Sequence, residues 1–179
     1  LILPISFGGH AITLIKHHDL LIRCDRGEYG KEHGSVIYQE MKHPTRLTKT
    51  FCRELLYKRQ SPEFINTGLI GYLGLQPKNI LDLPIQKTGN CTWANAEAVI
   101  PAIMFLLLHE EQGGNDTKGC EQEALHFYNR WREWDKRRSL NFCLQSFKTA
   151  NPARKATKAA LLAAILFQVC DYENIDDRE

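Results

Sequence analysis

Between Cys91 and Leu108 the chain is apolar on almost every side, and that stretch dictates how the rest must be arranged. A helix with a single apolar stripe can lie on a surface, whereas one that is apolar all round has to be enclosed. Trp93, Ala94, Ala96, Ala98, Val99 and Ile100, followed by the run 103–108, leave no polar face for solvent. The stretch is therefore expected to be the central, buried helix, kinked where Pro101 forfeits one backbone bond. It is entered through a polar turn, Gln86-Lys87-Thr88-Gly89-Asn90, which delivers Cys91 onto the first helical turn. Unpaired N–H groups and the macrodipole at a helix start both favour an anion. A cysteine placed there is biased toward the thiolate, its nucleophilic form. Asn90 suits the N-cap, and Gln86 carries an amide able to donate to an oxyanion. A lone cysteine is most often a small buried hydrophobe, so the case for Cys91 depends on partners elsewhere in the chain.

Those partners come from the first 25 residues. Ala11–Lys16 and Leu20–Cys24 are short, rich in Ile and Leu, and separated by His17-His18-Asp19, which reads as a β-hairpin. With a two-residue loop at His17-His18, or a four-residue loop around it, paired positions sum to 35 and His10 stands opposite Asp25. A three-residue loop would send the two side chains to opposite faces. A carboxylate beside an imidazole fixes its tautomer and leaves the second ring nitrogen as a base. Gly8-Gly9 before His10 would let another backbone approach the ring closely.

The remainder of the chain frames this pair. At 179 residues, 43% hydrophobic and 25% charged, it is long enough to close a core of its own. A net charge of +2 gives no global case for nucleic acid or an anionic membrane. Six cysteines without a CxxC pair read as reduced thiols. The chain opens on Leu1 rather than Met, as a piece of something longer would. The longest unbroken apolar run, Ala159–Phe167, is too short to span a membrane. Beyond the hairpin the pattern predicts a loop at 26–30, a third strand over Ser35–Gln39 and a helix from Thr45 to Arg59. A helix start follows at Ser61-Pro62-Glu63. Ile80–Ile85 reads as an edge strand or extended segment feeding the Gln86 turn. Gln112–Asp116 is an exposed loop. One or two helices cover Glu121–Lys148, with Leu125, Tyr128, Trp131 and Trp134 on the apolar side, and a last helix runs from Asn151-Pro152 to Val169. Residues 172–179 form an acidic tail. The division expected is a core over 1–112 and a helical extension over 113–179.

In chain order the constellation is His10, Asp25, Gln86, Cys91. That order, with a Gln shortly before the Cys, resembles the clan CE cysteine peptidases: the desumoylases, adenain, the YopJ group and SidE-type effector deubiquitinases. The phrases Gly-His-Ala-Ile, Cys-Asp-Arg-Gly and Gln-Lys-x-Gly-Asn-Cys-x-Trp-Ala-Asn are similar to cysteine-protease-like domains of Legionella type IV effectors, including ankyrin-containing ones. The resemblance covers residues 5–110. Ala11 departs from the Trp that follows the histidine in desumoylases, and Asn90 and Thr92 from the Asp and Gly that commonly flank the cysteine. The resemblance implies an α+β fold of the papain-like, clan CE kind, with a small antiparallel sheet packed on the central helix. It implies His10, Asp25 and Cys91 as a triad, with Gln86 in the oxyanion hole. It further implies a peptide or isopeptide hydrolase delivered into a host cell and acting on a host protein, with ubiquitin or a ubiquitin-like modifier as one substrate class. No cofactor follows from it. A YopJ-like acyltransferase using the same residues, and a non-catalytic module that binds host protein, are the alternatives.

Other polar residues carry blander expectations. His17 and His18 lack the Cys/His spacing of a tetrahedral metal site, so no metal is expected. His17, His18, His33 and His43 belong on exposed loops, and His109 and Glu110 end the central helix as cap or surface residues. Arg130, Arg132, Lys136, Arg137 and Arg138 read as a solvated helix face, with docking of an acidic partner as the alternative.

Overall fold

A computed structural model describes residues 1–86 and 90–163. The turn residues 87–89, the end of the last helix and the acidic tail lie outside the described residues. Two compact units divide the chain, Leu1–Leu125 and His126–Glu179. The division falls within a helix rather than at the Gln112–Asp116 loop.

The first unit is built on a five-stranded antiparallel meander whose strand order is its chain order. Its strands are β1 (Ile2–Phe7), β2 (His10–His17), β3 (Leu20–Cys24), β4 (Val36–Met41) and β5 (Leu75–Leu81). β1 has no counterpart among the strands expected from sequence. Pro4 obscures it there, yet proline is tolerated in β1 because this is an edge strand. Gly8 and Gly9, at φ 55° and 82°, make the two-residue turn between β1 and β2. Their role is therefore to close a hairpin, and open space surrounds Gly9 where a Cβ would stand.

The second hairpin turns at His18-Asp19, one residue later than expected, so paired positions sum to 37: Thr13 faces Cys24 and His17 faces Leu20. His18 takes the positive φ, 46°, that a two-residue hairpin loop asks of its first residue. The slip moves both members of each pair by whole residues and preserves parity, so His10 and Asp25 still share a face. Between β3 and β4 the expected loop contains a short helix, α1 (Glu28–His33). β5 begins earlier than the segment read from sequence. It is the other edge, and Pro77 sits where the β4–β5 register shifts at Tyr38/Gln39, a position that spares the missing N–H.

Both faces of the sheet are covered, which is why β2 and β3 show near-continuous burial rather than alternation. On one face Leu3, Ile5, Phe7, Ile12, Leu14, Leu21 and Met41 join Leu55, Ile65, Leu69 and Leu73 in a single cluster. The latter come from α2 (Lys49–Tyr57), a π-helical turn over Phe64–Gly68, and α3 (Leu69–Leu73). α2 is preceded by a 3-10 turn at Pro44–Arg46 and capped by Thr48, whose side chain accepts from the Phe51 N–H at 3.1 Å. Ser61 does the same for Phe64 at 3.1 Å.

The opposite face carries α4 (Cys91–Glu97) and α5 (Val99–Glu111). They are one apolar stretch interrupted at Ala98, three residues before Pro101. The ring of a proline collides with the carbonyl four residues back, here that of Glu97, so the break lies upstream of the proline itself. Tyr38 fixes α5 to the sheet, donating its hydroxyl to the Ala102 carbonyl at 2.9 Å while its ring leans on Phe105. Cys91–Glu111 is long and apolar enough by composition to cross a membrane, which a search for unbroken apolar runs does not reveal. Ala94, Asn95, Ala98, Val99, Ala102, Phe105 and Leu106 along it are buried, but Trp93 and Leu107 are 60% and 51% exposed. The helix pair is therefore covered on its sheet-facing side and is not enclosed all round as its composition implies.

α6 (Thr117–Lys148) is one continuous helix of 32 residues rather than two. Its first part belongs to the first unit, where Asn79 donates to Glu121 at 3.0 Å. The second unit holds the rest of α6 and a helix over 152–163. In this unit Tyr128 is buried and stacks on Trp131, whereas Trp134 is 55% exposed, so the two tryptophans are not equivalent core anchors.

Candidate active site

His10 is the first residue of β2, and Asp25 lies one residue past the end of β3. The imidazole Nε2 and the Asp25 Oδ1 are 2.8 Å apart. Because His10 stands at the very end of the sheet, its ring can meet Cys91, the first residue of a helix lying on the other face. Nε2 is committed to Asp25, which leaves Nδ1 for the thiol.

Asp25 is fully buried and both carboxylate oxygens are engaged. Oδ1 also accepts from the Gly27 N–H at 3.1 Å, and Oδ2 accepts from the Arg23 guanidinium at 2.7 Å. Burial alone would raise its pKa; the bonds from His10, Arg23 and Gly27 outweigh this and hold the carboxyl below the usual carboxylate range. The hydrogen bond to Asp25 raises the pKa of His10 against a smaller opposing effect of burial, and the adjacent Cys91 adds to the rise. For Cys91, burial is again the largest single influence and acts upward. Backbone N–H bonds from Ala11 and Thr92 and the neighbouring imidazole reverse it, so the thiol ionises more readily than a free cysteine. By contrast the thiol of Cys24, wholly enclosed beside Asp25, is pushed far up by its burial and by that carboxylate.

Gly27 is where close approach to the imidazole happens. A Cβ there would stand 2.7 Å from His10 Cε1, 3.0 Å from Nε2 and 3.2 Å from Asp25 Oδ1. The Gly8-Gly9 pair does not serve this purpose.

Gln86 is tied to the same corner by its backbone, whose N–H donates to the Arg26 carbonyl at 3.0 Å. Its Oε1 is buried and has no hydrogen-bond partner among the described residues. It lines a cavity of about 390 Å³ together with His10, Arg23, Asp25, Tyr29 and Asn66. His10 thus borders the thiol and, together with Gln86, an open space able to receive a ligand. Asn90 precedes α4 as expected, but its side chain makes no cap bond; its carbonyl accepts from the N–H groups of Trp93 and Ala94, both at 3.0 Å.

Three residues that sequence reasoning did not single out hold the arrangement in place. Asn95, fully buried one turn after Cys91, accepts from the Arg26 N–H at 2.7 Å and donates to the Ala11 carbonyl at 2.6 Å. It pins the cysteine helix to the residue after His10 and to the residue after Asp25. Arg26 adds its Nε–H to the Pro84 carbonyl at 2.7 Å and pairs with Glu97 at 3.3 Å, joining β3 to the segment leading to Gln86. Arg23, besides Asp25, donates to the Ile65 carbonyl and Asn66 Oδ1 at 3.2 and 2.6 Å and lies over the Tyr29 ring. Two signals were available in sequence. One is spacing, since Arg23 and Asp25 share a strand face and Asn95 lies four residues, one helical turn, past Cys91. The other is the phrases Cys-Asp-Arg-Gly and Cys-x-Trp-Ala-Asn, which contain Arg26 and Asn95.

The arrangement brings together a thiol, an imidazole held by a buried carboxylate, and an amide lining the cavity beside that imidazole. These are the parts needed for attack on a carbonyl.

No family model matches this chain, and none of the curated proteins does. Among solved structures, one described as that of the Legionella effector AnkH is similar, with a TM-score of 0.76 and 38% identity over 94% of this chain. The chain spans about a third of that protein's length (35%). It is thus similar, over nearly all its own residues, to one part of a bacterial effector.

Proposed function

We propose that this chain is a cysteine-protease-like domain of a bacterial effector that works inside a host cell, cleaving a peptide or isopeptide bond. The single observation that carries the reading is the placement of His10 between the buried Asp25, at 2.8 Å, and the thiol of Cys91. In that reaction His10 Nδ1 accepts the Cys91 proton and the thiolate attacks the carbonyl carbon. Asp25 holds the ring and stabilises the imidazolium. The Gln86 amide and the Cys91 N–H receive the oxyanion, each worth roughly 3–4 kcal/mol in the transition state. His10 then returns the proton to the departing amine, and water, deprotonated by His10, releases the acyl group from sulfur. The likeness to an effector supports a host protein as partner; ubiquitin conjugates are the substrate class to try first.

The test uses two reagents on the same protein. Ubiquitin bearing a carboxy-terminal electrophile should label wild type and leave Cys91→Ala unlabelled. Incubation with radiolabelled acetyl-CoA should leave no acetyl group on Cys91. Acetylation without ubiquitin labelling would replace hydrolysis by acyl transfer. Neither would remove both enzymatic readings.

A binding role is favoured by a separate observation in the second unit. Trp134 and Phe142 stand 55% and 73% exposed on α6, and Arg138 lies over the Trp134 ring. Exposed aromatics beside arginine are common anchors for a protein partner.

A further inference from the structure

We propose that His17, His18 and Glu110 form a binding site for a divalent transition-metal ion of the zinc class. The ion would staple the tip of the β2–β3 hairpin to the end of the helix pair that begins at Cys91. The candidate ligand atoms of these three residues all lie within 4.8 Å of one another. His17 Nε2 and Glu110 Oε1 are 2.7 Å apart, and the two imidazole rings are 4.3 Å apart and inclined by 74°.

Adjacent residues of a regular strand point to opposite faces. Here the strand ends at His17, and the positive φ of His18 turns its ring back beside its neighbour. Glu110 then arrives from a helix 93 residues further along the chain, which is why a search for local ligand spacing finds two ligands and stops. Zinc takes imidazole and carboxylate ligands at about 2.0–2.2 Å in a tetrahedron, so its ligand atoms stand about 3.3–3.6 Å apart. Side-chain rotation alone covers the difference. Two imidazoles and one carboxylate suit zinc, copper or nickel better than magnesium or calcium, and leave a fourth position for water. On binding, the proton between His17 and Glu110 moves to His17 Nδ1 or to solvent. The freed nitrogen lone pair and the carboxylate then bond the metal. The Lys16 ammonium is engaged by the His18 carbonyl at 2.9 Å.

The location gives the ion a consequence. β2 carries His10 at its first residue and His17 at its last; the α4–α5 pair carries Cys91 at its first residue and Glu110 next to its last. The strand rises about 3.3 Å per residue, so the two clusters lie on the order of 23 Å apart, at opposite ends of the same strand and helix pair. The ion would tie together the elements that bear the base and the nucleophile without touching either. This inference does not rest on the thiol chemistry.

The experiment is zinc titration by calorimetry on Cys91→Ala protein, in which the reactive thiol cannot capture metal. It is repeated with His18→Ala or Glu110→Ala added, and the thermal midpoint of each protein is read with and without zinc. The parent should bind one equivalent and melt higher with zinc. Both added substitutions, at exposed side chains, should lower the metal-free melt only slightly, the Glu110 change by the loss of one exposed pair with His17. Both should weaken binding at least about tenfold and abolish the shift. Cobalt should give a visible spectrum without a thiolate charge-transfer band. No binding, equal affinity in all three proteins, or a thiolate band would overturn the proposal.

Discussion

His10 and Asp25 are two positions out of step across the β2–β3 ladder, and their side chains still meet at 2.8 Å. Extending the observed register would place Ile12, not His10, opposite Asp25. Diagonal neighbours on one sheet face remain within reach of a long side chain such as His. The diagonal offset also frees Asp25 Oδ2, the side facing Arg23 on the same strand.

That offset predicts opposite outcomes for two substitutions. Asp25→Asn keeps an acceptor for Arg23 but removes the charge that sustains the imidazolium. Cys91 alkylation should then shift to higher pH, with a modest loss of stability. Arg23→Met removes a partner from a buried carboxylate, which typically costs about 3–5 kcal/mol. In urea melts it should be the more damaging change, while Cys91 in the folded fraction keeps its reactivity. Equal effects on both readouts would contradict the division of labour.

Gly27→Ala tests the position of the imidazole against Asp25. The backbone at Gly27, φ −94° and ψ −158°, is open to any residue, so the cost is the contact with His10 and not strain. The ring has room to swing outward, being 27% exposed. The Cys91 pKa should rise while the thermal midpoint moves little. An unchanged alkylation profile would mean that the ring accommodates the methyl group without leaving Asp25.

Asn95→Leu should disrupt both stability and the site. It removes the side-chain acceptor of the buried Arg26 N–H and the donor to the Ala11 carbonyl, and a lost bond at a buried backbone group costs about 1–3 kcal/mol. The prediction is a large drop in unfolding free energy by urea titration. Folded protein should also show a Cys91 less reactive than wild type at neutral pH, because α4 loses its tie to β2.

The pH dependence of stability follows from the shifts at Asp25 and His10. Asp25 has a folded pKa below its unfolded value near 3.9, so its contribution is complete above that value and is lost as pH falls through the folded pKa. His10 is shifted upward, so its contribution is complete below about 6.5 and fades as pH rises through its folded pKa. Thermal midpoints of wild type should therefore fall more steeply below about pH 4 than those of Asp25→Asn, and a parallel fall would argue against the buried pair.

Much of the site was legible because its signals are ones of type and parity. His10 and Asp25 keep a common face under any even slip of the hairpin, so a loop displaced by one residue did no harm. Cys91 was marked by the change from a polar turn to an all-round apolar helix. Less legible were contacts made by residues with ordinary local readings. Arg23 looks like a polar break in Leu20–Cys24, and only the fold brings Ile65, Asn66 and Tyr29 to its guanidinium. Asn95 looks like a poor helix residue, and its two backbone partners lie 69 and 84 positions away. β1 was hidden by Pro4, whose missing N–H matters only where a second neighbour strand would need it. Lys87, Thr88 and Gly89, read from sequence as part of a turn before Cys91, lie outside the described residues.

The most direct test of the central claim is the pH profile of Cys91 alkylation by iodoacetamide, read by peptide mass spectrometry in wild type and His10→Ala, with the other cysteines as internal controls. The account predicts that Cys91 reacts well below the pH at which a free thiol of pKa about 8.5 does, and that this advantage disappears without His10. A profile that matches a free thiol, or one that is the same in both proteins, would contradict it.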